Sequence, residues 1–107
     1  MKRTIKIDGI DVPMKASAAS PRIYRNVFGK DLFIELQELS KAYQNDEPLN
    51  IEVVENMAYL FAYQADENIP NIEEWLDQFG ATAIFQAMPD ILALWEQNAE
   101  TKSTAKK

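Results

Sequence analysis

Ile51-Glu-Val-Val-Glu-Asn-Met-Ala-Tyr-Leu-Phe-Ala-Tyr-Gln-Ala65 is the most apolar run of the chain, and its reading decides the fold. Val54, Met57, Ala58, Phe61, Ala62 and Ala65 recur at three- and four-residue spacing, the signature of one helix face. Val53 and Leu60 widen that stripe. A helix apolar over so much of its circumference belongs at the centre of a domain, with walls on several sides. Glu52, Glu55 and Asn56, continued by Tyr59 and Tyr63, form its remaining face.

The segments on either side supply the walls. Leu32, Leu36, Leu39 and Tyr43 make a helical stripe that starts near Asp31 and ends before the polar loop Asn45-Asp-Glu-Pro48. Ahead of it, Ser20-Pro21 reads as an N-cap followed by proline at the first helical position. That helix turns Ile23, Tyr24, Val27 and Phe28 inward and stops at Gly29. Thr4–Ile7 and Ile10–Val12 alternate around Asp8-Gly9, a two-residue hairpin signal, with Pro13 removing one ladder donor. Beyond the loop 66–70, Asn71 caps a short helix carrying Ile72, Trp75, Leu76 and Phe79, closed by Gly80. A last helix from Thr82 to about Asn98 points Ile84, Met88, Ile91 and Trp95 inward and is kinked rather than broken at Pro89. Residues 100–107 hold no apolar side chain except Ala105 and read as a flexible Lys-rich tail. The expected fold is mainly α (α+β): a single domain over residues 1–99, with a hairpin over about 4–15 packed on a compact bundle of about five helices.

Charge is distributed unevenly. From Ala42 to Thr101 there are twelve carboxylates and no Lys, Arg or His, whereas residues 1–41 hold eight basic and five acidic residues. The net −6 therefore comes from an acidic block between two positive ends. Such polarity favours docking of basic surfaces, including copies of the chain stacked head to tail, and it also serves plain solubility. Nucleic acid is not expected as a partner, because the block meets phosphate with the wrong sign. No apolar run approaches the roughly 20 residues of a membrane span, so no membrane partner is expected either. Met1-Lys-Arg leads at once into a strand pattern, so no signal peptide is expected.

Catalytic chemistry is poorly supplied. The chain contains neither His nor Cys, which removes the common nucleophile–base pairs and thiolate metal sites. Glu73/Glu74 and Asp66/Glu67 are adjacent in sequence and read as solvated charge rather than acid–base pairs. The run 66–71 lacks the central glycine of a calcium loop and places Pro70 at a ligand position. Gly9, Gly29 and Gly80 each serve a turn or cap, leaving no phosphate loop. Neither an enzyme, nor a metal, nor a cofactor is expected.

Binding chemistry remains. Tyr59 and Tyr63 beside Glu52 and Glu55 form an aromatic–acidic surface suited to an amphipathic or basic helix, unless the rings lie against a neighbouring helix instead. Trp75 and Trp95 sit on apolar faces and read as core anchors. Arg22 and Arg25, with Lys30, either meet the acidic block of a second copy or remain solvated.

In order and spacing, several fragments together resemble a known family. They are Ile5-Lys-Ile-Asp-Gly9, Val12-Pro-Met-Lys-Ala16, Ala19-Ser-Pro-Arg-Ile-Tyr-Arg25 and Phe28-Gly-Lys-Asp-Leu32, then Glu55-Asn-Met-Ala-Tyr59, Ile72-Glu-Glu-Trp-Leu76, Met88-Pro-Asp-Ile-Leu92 and Leu94-Trp95. The chain so read resembles the tail assembly chaperones of long-tailed bacteriophages, notably those of Gram-positive hosts, over about residues 4–98. The resemblance implies a non-enzymatic protein of the host bacterial cytoplasm. It would coat the tape measure protein, keep it soluble, help tail tube protein polymerise around it, and leave before the virion matures. Two rival readings are a structural head–tail connector subunit and an acidic inhibitor or DNA mimic acting on a host enzyme.

Overall fold

The computed structural model describes residues 1–99; the tail expected over 100–107 lies outside the described residues. Its chain opens with β1 (Lys2–Ile7) and β2 (Ile10–Lys15), paired antiparallel so that Ile5 faces Val12 and Ile7 faces Ile10. Asp8 (φ 53°) and Gly9 (φ 79°) both take positive φ at the turn. That conformation matches the right-handed twist of the flanking strands, and Asp and Gly tolerate it. Alternation then sends Ile5, Ile7, Val12 and Met14 to one face, where all four are buried.

Among the described residues five helices follow: α1 (Ser20–Phe28), α2 (Leu32–Gln44), α3 (Ile51–Ala65), α4 (Ile72–Leu76) and α5 (Ala83–Ala99). Three start on side-chain caps. Asp31 accepts from the amides of Phe33 and Ile34, Asn50 from that of Glu52, and Asn71 from that of Glu74. Gly29 ends α1 in the left-handed conformation with its amide on the Arg25 carbonyl. Pro89 lies inside α5, which continues across it.

Helix α3 is the hub. It touches β2, α1, α2, α4 and α5, and nine of its fifteen residues are buried. Helix α5 lies against β1 as well as α3, so the hairpin covers one side of the α3–α5 pair. Two polar links fasten the hairpin at its ends. At the turn, the Asp8 carboxylate accepts from the Gly80 amide at 2.9 Å. At the exit, the Ser17 amide donates to Ser20 Oγ, which donates to Gln64 on α3, and Gln64 Nε2 returns to Ser17 Oγ. Asn98 of α5 donates to the Ser17 carbonyl, so α1, α3 and α5 converge there.

Several expectations need correction. Ser20 is not the N-cap of α1: Ala19 holds that position without a side-chain bond, because the Ser20 hydroxyl is buried on Gln64. Gly80 does not close α4, which ends at Leu76; its amide serves Asp8 instead. Val27, Tyr43 and Ala65 fall on the outer sides of their helices. Conversely, Asn56 and Tyr59, read as polar-face residues, are buried because α1 and α4 cover that side of α3.

Phe61 is fully buried on α3 and stacks on Trp95 of α5. Phe61→Ala is expected to cost about 3–5 kcal/mol through lost transfer energy and an unfilled cavity. Phe85→Ala, at a position 53% exposed, is expected to stay within about 0.5 kcal/mol. Urea unfolding followed by circular dichroism measures both, with a lowered midpoint and unchanged slope for the first.

Candidate functional site

The four residues read as a partner surface on α3 do not share one environment. Glu52 is exposed and lies 3.9 Å from Lys30 in the turn between α1 and α2. Both side chains are well solvated, so this pair contributes little to stability. Glu55 and Tyr63 are half-buried. Tyr59 is 8% exposed: its hydroxyl donates to the Pro70 carbonyl at 2.8 Å, and its ring meets Phe28, Tyr63 and Trp75. Tyr59 is thus a wall between α1 and α4, and the outward remainder of this face is Glu52, Glu55 and part of Tyr63.

A second tyrosine lies deeper. Tyr24 of α1 is fully buried, donates to the Glu35 carboxylate of α2, and accepts from Asn56 Nδ2 of α3. Burial, and then the Glu35 carboxylate that takes its proton in a hydrogen bond, push the Tyr24 phenol well above its ordinary range. Burial raises Tyr59 too, with Tyr63 adding to the effect. These are joints between helices. Both phenols remain neutral hydrogen-bonding groups at physiological pH.

Arg22 and Arg25 are exposed on one side of α1, and among the described residues neither has a carboxylate partner. Every carboxylate from Asp46 to Glu96 is exposed except the half-buried Glu55. The charge split of the sequence is therefore a property of the surface.

An apolar surface feature beside α2 was not singled out from the sequence. Phe33 and Ile34 are 60% and 54% exposed, and Tyr43 is 76% exposed. Helix α2 packs on α1 and α3 and leaves a crevice of about 480 Å³ against α5. Leu36 and Tyr43 from α2, Leu49 from the following loop, and Met88, Leu92 and Trp95 from α5 line it. Phe33 closes edge-on over Trp95 with ring centroids 5.7 Å apart. A signal was present: Leu32-Phe-Ile34 is a run of three apolar residues, two of which fall off the α2 stripe. The crevice itself depends on the distance between two helices far apart in sequence, which no local pattern encodes.

Among the described residues no helix is long and apolar enough to cross a membrane, and no three His, Cys, Asp or Glu residues gather as metal ligands. Comparison with protein-family models, with curated proteins and with solved structures gives no match.

The tyrosines yield a pH signature. A phenol pKa raised on folding leaves stability unaffected below the unfolded value, 10.0, and lowers it as pH climbs above that. Unfolding free energy is therefore expected to fall above about pH 10, with a shallower fall in Tyr24→Phe than in the parent. Denaturation midpoints between pH 7 and pH 11 test this.

Proposed function

We propose that this protein is a tail assembly chaperone of a long-tailed bacteriophage. It binds the tape measure protein in the host cytoplasm, keeps it soluble, promotes assembly of tail tube protein around it, and leaves the finished tail. The observation that carries this reading is the ordered set of fragments from Ile5 to Trp95, which spans nearly the whole described domain. The open apolar crevice between α2 and α5 supports it, since a long helical partner needs a place to bury an apolar stripe. The exposed acidic surface supports it as well, because solvated charge gives contacts that form fast and release readily. Many such contacts along an extended partner hold it firmly while each one remains reversible. Exposed Arg22 and Arg25 facing the acidic surface of the next copy supply a head-to-tail contact for stacking.

Co-expression with the tape measure protein of the same genome is the direct test. The partner is expected in the soluble fraction only when this chain is present, and the complex is expected to weaken between about 0.1 and 0.5 M salt as surface charges are screened. Mass spectrometry of purified particles is expected to lack this chain. A fixed copy number in the particle would instead mean a connector subunit. An insoluble partner with nothing co-purified would overturn the chaperone reading.

A further inference from the structure

The hairpin is a sheet of two strands, so each strand has an outer edge, and the register decides what that edge offers. Met1 and Ala16 exchange both backbone bonds: the Ala16 amide donates to the Met1 carbonyl at 2.9 Å, and the Met1 nitrogen to the Ala16 carbonyl at 2.8 Å. Bonded pairs alternate with open pairs along an antiparallel ladder, so Arg3–Met14, Ile5–Val12 and Ile7–Ile10 are bonded as well. The backbone groups of Lys2, Thr4 and Lys6 on β1, and of Asp11, Pro13 and Lys15 on β2, therefore turn outward. On the β2 edge Pro13 has no N–H, which breaks the row of donors at its centre. The β1 edge has no such break. Lys2, Thr4 and Lys6 are exposed, and among the described residues their outward amides and carbonyls have no backbone partner.

We propose that the outer edge of β1 receives an extended, acidic segment of another protein as a third strand. Main-chain bonds to Lys2, Thr4 and Lys6 hold the segment, and side chains select it. The Lys2 and Lys6 side chains stand on the outer face about 13 Å apart, the reach of four strand residues. They match two carboxylates four positions apart in the incoming strand. Charge decides the occupant. Strand β1 carries Lys2, Arg3 and Lys6 and no carboxylate, and Lys15 stands opposite Lys2. Asp11, 3.7 Å from Lys6, is the one carboxylate among the outward positions of the hairpin. A second copy fits poorly: pairing β1 with β1 brings only Lys and Thr together on the outer face, and the β2 edge of another copy presents Pro13. Residues 100–107 hold three lysines against one carboxylate, so laying them along Lys2 and Lys6 sets like charge on like. The same lysines that keep like strands away thus admit an acidic one. This edge is separate from the acidic surface and from the α2–α5 crevice, so its occupancy is independent of the function proposed above.

Amide hydrogen exchange of the full chain, followed by NMR, reads the edge directly. In the free protein the Thr4 and Lys6 amides are expected to exchange fast while those of Ile5 and Ile7 are protected. Slow exchange of Thr4 and Lys6 there means that residues 100–107 or a second copy already cover the edge, and overturns the proposal. The probe is a fluorescein-labelled peptide, Val-Glu-Val-Thr-Val-Glu-Val with blocked ends, beside a version with Lys for both Glu. Fluorescence anisotropy is expected to show the Glu peptide binding about tenfold tighter than the Lys peptide, with the preference fading in high salt. Its binding is expected to slow exchange at Thr4 and Lys6. N-methylating the Glu and Thr amides of the peptide removes the donors that face β1 and is expected to abolish binding. Thr4→Pro, which copies on β1 the break that Pro13 makes on β2, is expected to weaken binding at least about tenfold while circular dichroism remains that of the parent. Lys2→Glu/Lys6→Glu, at two exposed positions, is expected to reverse the preference between the peptides. Absence of binding, or binding that survives N-methylation, overturns strand addition. Equal binding of the two peptides, or a preference unmoved by the lysine variant, overturns the acidic partner.

Discussion

The structure depends on the need to bury α3 around most of its circumference. A fifteen-residue helix with nine buried residues cannot be covered by one neighbour. Its apolar perimeter therefore calls in every other layer: the hairpin through β2, α5 alongside, α1 and α2 across the remaining flank, and α4 at the end. The hairpin has the reciprocal need, because two strands alone are marginal in water. Each solves the other's problem. The polar links at Asp8–Gly80 and at Ser17–Ser20–Gln64 then fix where the hairpin sits rather than whether it docks.

What could be read from the sequence was whatever has a local cause. The Asp8-Gly9 turn, the helix start near Asp31, the Asn71 cap, the helix stop at Gly29 and the span of α3 follow from side-chain chemistry within a few residues. The misread positions were decided by tertiary neighbours. Ser20 has an N-cap residue's chemistry, yet Gln64, more than forty positions away, claims its hydroxyl. Tyr59 and Asn56 look polar on a helical projection but face α1 and α4. For the site the limit was sharper: Glu52 and Arg22 were legible as surface charge, whereas the crevice exists only because α2 leans on α1 and α3 and leaves a gap beside α5.

Electrostatics and apolar exposure divide the surface between them. Carboxylates spread over α3, α4, α5 and their loops act at long range and are damped by salt. The apolar lining of the crevice acts only on contact. The neutral Tyr24 and Tyr59 phenols lie inside the walls of this arrangement, tying helices together without adding charge.

The dependence of the hairpin on α3 also has a consequence for synthesis. Residues 2–15 leave the ribosome ahead of the five helices, but the surface that covers Ile5, Ile7, Val12 and Met14 starts only at Ile51. At typical elongation rates that interval lasts about two to seven seconds, long compared with the microseconds in which a hairpin forms. During it the nascent chain carries an apolar strand face with no cover, while Lys2, Arg3 and Lys6 on the exposed positions of the first strand discourage pairing with other nascent chains. The order of elements along the chain therefore delays consolidation of the core until α5 has emerged, and it places the protective charge where the delay is longest.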